Sequence, residues 1–125
     1  MSHWRKRLGK QGEIAAKKYL LQKGYCILEE NYTCDIGEID IVAKEREELV
    51  FVEVRTKTGA EFGLPEESVD KRKLSKLVKL SYHYLAQFKK THFKKEQKFR
   101  IDLIAVEMDR NTGKLRDLRH LKAIH

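Results

Sequence analysis

The sequence predicts one α/β domain, a mixed β-sheet flanked by helices. The order is αβββαβ, followed by a last element that reads equally as a strand or a short helix. Three observations predict this. Two stretches repeat apolar residues at helical spacing. A pair of alternating runs joined by a short charged turn reads as a hairpin. A later run, FRIDLIAVEM, is apolar on both faces, as a strand inside a sheet must be. The 125 residues form a single domain, 1–125, long enough to bury a core without disulfides or metal staples.

The first helix is predicted to begin near Leu8 or Gly9 and to end at Lys23, with Gly24 as its stop. Leu8, Ala15, Ala16, Tyr19 and Leu20 give it one apolar face. Glu13 shares an edge of that face, from which it can either reach inward or pair with Lys17 one turn later. Residues 25–32 alternate loosely and read as a first strand; residues 31–37 turn into the hairpin. After the hairpin, TGAEFGLPEE carries two glycines and a proline and reads as an irregular loop, either a flap beside a substrate or a plain connector. Asp70 is an N-cap candidate for a second helix over residues 71–88, whose apolar face is Leu74, Leu77, Val78, Ser81, Tyr84, Leu85 and Phe88. A lysine-rich connector, 89–98, leads to the apolar strand at 99–108. That strand contains Asp102, a charge out of place there, with Arg100 as its same-face partner. Residues 111–113 signal a turn before the last element.

Composition narrows the function. No apolar run approaches a membrane span and the N-terminus lacks a signal-peptide core, so a cytoplasmic protein with no membrane partner is expected. Cys26 and Cys34 are too few for a disulfide scaffold and read as reduced thiols; the five histidines show no zinc spacing. The net charge of +8 favours an anionic partner. Acidic residues concentrate between Glu29 and Glu67, whereas lysine and arginine dominate the N-terminus and residues 71–98. A basic protein with a local acidic focus suits nucleic acid plus metal. Lys71, Lys73 and Lys76 open the second helix and are the phosphate-tracking candidates.

The acidic focus is the hairpin GEIDIVAKEREELVFVEVRTK, residues 37–57. Its apolar pattern sets Lys44 opposite Leu49, Val42 opposite Phe51, Asp40 opposite Glu53 and Glu38 opposite Arg55. Ile39, Ile41, Ala43, Val50, Val52 and Val54 fall on the other face. Like charges opposite one another destabilise a sheet. The Asp40 and Glu53 pair therefore calls for a divalent cation, a shared proton, or a salt bridge from Arg55 or Lys57.

The stretches GKQGEIAAKKYL, GEIDIVA, FVEVRTK, FGLPEESVDKRK and FRIDLIAVE, in this order and with these gaps, resemble the YraN family of small bacterial proteins. More broadly they resemble the restriction-endonuclease-like superfamily, which includes archaeal Holliday junction resolvases. The resemblance implies a restriction-endonuclease-like fold and a Mg2+- or Mn2+-dependent site with Glu13, Asp40 and Glu53 as metal ligands. It implies an endonuclease hydrolysing DNA phosphodiester bonds, in branched or damaged DNA, and a homodimer. The departure is Arg55, which stands at the superfamily's lysine position. Arginine stays protonated and cannot act as a base, though it can hold a phosphate bidentately. Lys57, on the same strand face, is the candidate substitute, which completes the expected catalytic set of Glu13, Asp40, Glu53, Arg55 and Lys57. The competing expectation is a nucleic-acid-binding protein that keeps the fold without the chemistry.

Overall fold

The computed structural model describes residues 2–59, 66, 69–92 and 96–125. Its elements are α1 (Ser2–Gln22), β1 (Cys26–Cys34), β2 (Gly37–Glu45), β3 (Glu48–Thr58), α2 (Lys71–His92), β4 (Phe99–Met108) and β5 (Leu115–Leu121). The predicted order holds, and the undecided last element is a strand. The five strands lie in the sheet in chain order. All neighbours are antiparallel except β3 and β4, whose parallel pairing requires the crossover through α2.

Both helices are longer than predicted. α1 starts at Ser2, ahead of its predicted start near Leu8 or Gly9. It ends in a Schellman motif: Tyr25 N–H donates to the Leu20 carbonyl and Gly24 N–H to that of Leu21, with Gly24 at φ +90°. At its start α2 is capped by Asp70, whose Oδ1 accepts the Lys73 N–H at 2.9 Å. It continues to His92 through lysines expected to be connector, since lysine is itself a good helix former. Most of the expected flap, residues 60–65 and 67–68, lies outside the described residues, as do residues 93–95 of the connector.

The central strands β2, β3 and β4 are largely buried on both faces, with a separate core on each. Against α1 pack Ile41, Ala43, Val50, Val52, Ile104 and Val106, meeting Ala16 and Leu20. Against α2 pack Ile39, Val42, Leu49, Phe51 and Ile101, meeting Leu77, Leu80, Tyr84, Leu85 and Phe88. Each fully buried leucine or isoleucine here contributes about 1.5–3 kcal/mol. The hairpin turns on Arg46 and Glu47, with Glu45 opposite Glu48 and Arg46 at φ +55°. Its expected register holds from Lys44–Leu49 to Val42–Phe51, and the ladder then ends at Ile41–Val52. Two expected pairs, Asp40–Glu53 and Glu38–Arg55, do not form. Ile39, expected on the face of Ile41, instead joins the α2 core. The reason is competition for partners. β2 stays with β1 through Ile39–Tyr32 to Gly37–Cys34, while β3 stays with β4 as far as Thr58–Met108. The two strands separate, and the sheet opens beyond Ile41.

Candidate metal and nucleic-acid site

The opening between β2 and β3 leaves backbone groups without ladder partners, and buried backbone groups must be satisfied. Asp40 does this for one of them: its Oδ2 accepts the Val54 N–H at 2.8 Å. That bond draws the carboxylate into the fork, next to Glu53. Burial and the charge of Glu53 push the Asp40 carboxyl up to about 8. Glu13 and Glu38 add to the rise, and the Val54 N–H opposes it. Among the described residues no salt bridge reaches Asp40.

Glu53 is also buried, at 4% exposure, but it is compensated. Its Oε2 takes Arg55 Nη2 at 3.0 Å and Lys73 Nζ, from the first turn of α2, at 3.4 Å. The salt bridge expected of Arg55 is therefore present, and a lysine from another element joins it. Arg55 Nε is buried with no hydrogen-bond partner, so this guanidinium retains a free donor beside the two carboxylates. Lys57 sits half-buried further along β3, beside Glu107 of β4 in the register.

Glu13 reaches this neighbourhood because α1 can approach β3 closely. A Cβ at Gly12 would lie 1.9 Å from Thr56 Oγ1, so only glycine lets the helix backbone sit there. Glu13 does not pair with Lys17, which instead bridges to Glu30 of β1 at 2.8 Å. Burial and the charge of Glu38 raise the Glu13 carboxyl, against Lys10 and a hydrogen bond from Asn31. Glu13, Asp40 and Glu53 thus share an electrostatic neighbourhood. Among the described residues, however, no group of three His, Cys, Asp or Glu side chains is drawn together closely enough to hold a metal ion.

Two carboxylates, Asp40 and Glu53, remain as candidates, and their oxygen donors would suit a hard cation. Magnesium ordinarily takes one or two protein carboxylates and fills the rest of its shell with water and phosphate oxygens. Asp40, crowded by like charge and short of donors, is the side chain such a cation would relieve most.

Beside the fork lies a depression of about 580 Å³ lined by Ile36, Asp70, Arg72, Lys73, Ser75, Lys76 and Lys79. Of the expected phosphate-tracking residues, Lys73 and Lys76 line it and Lys71 does not. Arg72 and Lys79 do. The stem of Lys76 crosses Gly37, where a Cβ would come within 2.9 Å of Lys76 Cε. Basic side chains thus run from α2 over the start of β2, four cations against the single acid Asp70.

Sequence reasoning found only the Arg100 and Asp102 part of a second buried charge cluster on the α1 face. Asp102, fully buried, accepts from Arg100 Nε at 3.0 Å and from Ala123 N–H at 2.9 Å, and its Oδ2 lies 2.6 Å from His120 Nε2. Tyr19 closes the chain at His120 Nδ1, 2.9 Å away. Arg100 also meets Glu45, Glu48 and the Tyr25 hydroxyl. The Arg100 partner was legible two residues away on the same strand. His120 and Ala123, contributed by β5 and the tail beyond it, left no local signal.

A five-stranded mixed sheet sandwiched by two helices, split at one end over paired carboxylates beside a basic depression, defines an α/β protein with a candidate polyanion and cation site. Residues 12–106 match the family described as Uncharacterised protein family UPF0102, and the chain belongs to that family. It is 44% identical over 122 residues to a UPF0102 protein of Pelotomaculum thermopropionicum, covering 98% of each chain. It is 46% identical over 110 residues to one of Moorella thermoacetica, covering 88% of each. To one of Caldanaerobacter subterraneus it is 43% identical over 117 residues, covering 94% of this chain and 93% of the relative.

Proposed function

We propose that this protein is a Mg2+- or Mn2+-dependent endonuclease that hydrolyses DNA phosphodiester bonds, with Asp40 and Glu53 as the metal ligands and Glu13 in support. The observation that carries this reading is the placement of Asp40. It is a carboxylate held in a fork of the sheet by one N–H, raised by neighbouring acids, and set beside a depression lined by Arg72, Lys73, Lys76 and Lys79. A bound divalent cation would supply charge neutralisation at the scissile phosphate and activation of a water.

The chain's own residues do the rest. Lys76, Arg72 and Lys79 bind the nucleic-acid backbone through charge, which gives salt-sensitive affinity without sequence preference. Arg55, part-exposed beside Glu53, offers the exposed N–H groups of its guanidinium to the phosphate oxygen on which negative charge develops. Glu13 adds negative charge on the α1 side of the fork and strengthens its pull on a cation.

The test is incubation of the purified protein with junction, flap, duplex and single-stranded DNA and each metal, beside an Asp40→Ala control. Metal-dependent cleavage that falls at least about 100-fold in the control supports the proposal. Equal cleavage by both proteins, or none by either, defeats it. The salt bridges from Arg55 and Lys73 to Glu53 favour a second reading, a nucleic-acid-binding protein without catalysis. That reading predicts binding indifferent to chelators and to Asp40→Asn.

A further inference from the structure

We infer that Lys73, the first-turn lysine of α2, is a member of the metal and phosphate site and moves between Glu53 and a backbone phosphate as the cation and the polyanion bind. The inference rests on the metal-dependent reading above and extends it to a residue on a different element from the strand that carries Glu53 and Arg55.

Among the described residues, Lys73 is the one side chain that both lines the basic depression and touches a buried carboxylate of the fork. Its backbone is fixed by the Asp70 cap, so only its flexible four-carbon stem remains to be positioned. The charge arithmetic around Glu53 is uneven. One carboxylate oxygen carries both Arg55 and Lys73, while among the described residues no salt bridge reaches Asp40 next to it. With a divalent cation between Asp40 and Glu53, Lys73 is repelled from Glu53, and the nearest compensating charge is a phosphate in the depression it already lines.

Each binding event thereby removes an obstacle to the other. The cation competes with the Lys73 ammonium for Glu53, and the phosphate draws that ammonium away. Such coupling is reciprocal: DNA must tighten metal binding by the factor by which metal tightens DNA binding. Lys73 then contacts the phosphate alongside Arg55, and so supplies a cation from a second element.

The experiment measures Mn2+ affinity by electron paramagnetic resonance at fixed pH. The full chain, Lys73→Ala, Lys73→Arg, Lys71→Ala and Asp40→Asn are compared, each with and without a phosphorothioate duplex that resists cleavage. The expected result is that DNA tightens Mn2+ binding tenfold or more in the unaltered chain and in Lys71→Ala, but less than threefold in Lys73→Ala. Without DNA, Lys73→Ala binds Mn2+ several-fold more tightly than the unaltered chain, an effect that mere loosening of α2 would not give. Lys73→Arg restores part of the coupling. Undiminished coupling in Lys73→Ala overturns the inference and leaves the metal site standing. Mn2+ binding unchanged in Asp40→Asn overturns the metal site, and this inference with it.

Discussion

Two aspartates are built into the same sheet, and they are treated in opposite ways. Asp102 lies fully buried on β4 and is saturated with donors. Burial alone would raise its carboxyl, but hydrogen bonds from His120, Arg100 and the Ala123 N–H outweigh that and hold it below the ordinary aspartate value. Asp40 receives one N–H, sits among three other carboxylates and is raised to about 8. A buried charge with a complete set of partners ties elements together; Asp102 links β4, β5 and the C-terminal tail, and through Arg100 reaches the hairpin. A buried charge left short of partners costs stability. The fold tolerates that cost where β2 and β3 part beside a basic depression, and stability surrendered at one point of an otherwise well-satisfied core is characteristic of a functional site.

The largest way to break the comparison is Asp102→Ala, which leaves Arg100 without its buried counter-charge and His120 Nε2 without its carboxylate partner. Urea unfolding is expected to show a loss of about 3–5 kcal/mol. The loss shrinks in acid, because a carboxyl lowered in the folded state contributes stability above its unfolded value, about 3.9, and forfeits it as pH falls through the folded one. Gly12→Ala comes next. Its new methyl would meet the Thr56 side chain, and the clash, partly offset by alanine's helix propensity, is expected to cost about 1–3 kcal/mol in the same assay.

Asp40→Asn has the opposite sign. A carboxyl raised in the folded state loses its contribution as pH rises from its unfolded value to its folded one. The substitution is therefore expected to leave stability little changed near pH 4 and to raise it at pH 8, read as a higher thermal midpoint. The smallest effect belongs to the depression. Lys76→Ala should weaken DNA binding a few-fold and reduce the slope of log affinity against log salt by about one.

Much of this was legible in the chain. Alternation in residues 37–57 placed the hairpin and its register from Lys44–Leu49 to Val42–Phe51, and it put Asp40 and Glu53 on neighbouring strands, although they do not pair across the ladder. The parting of β2 and β3 was not legible. It depends on β1 and β4 holding the two strands apart, and neither contact leaves a mark on the hairpin's own sequence. For the same reason Lys73 read as one lysine among many on a basic helix. Its bond to Glu53 depends on the crossover that brings α2 back over the sheet, which spacing along the chain does not encode. Glu13 gave an ambiguous signal, since a glutamate four residues before a lysine ordinarily pairs with it. Only the approach of α1 to β3 at Gly12, with Glu30 claiming Lys17, turns it toward Glu38 and Asp40.

The most direct test of the carboxylate fork is thermal unfolding at pH 8 with and without millimolar Mn2+, for the unaltered chain and for Asp40→Asn. Binding to the folded state alone stabilises by mass action, by roughly 2.7 kcal/mol at a concentration one hundred times the dissociation constant. A fork that holds a divalent cation predicts a midpoint several degrees higher in Mn2+ for the unaltered chain and no shift for Asp40→Asn. Equal shifts in the two proteins, or none in either, would contradict it.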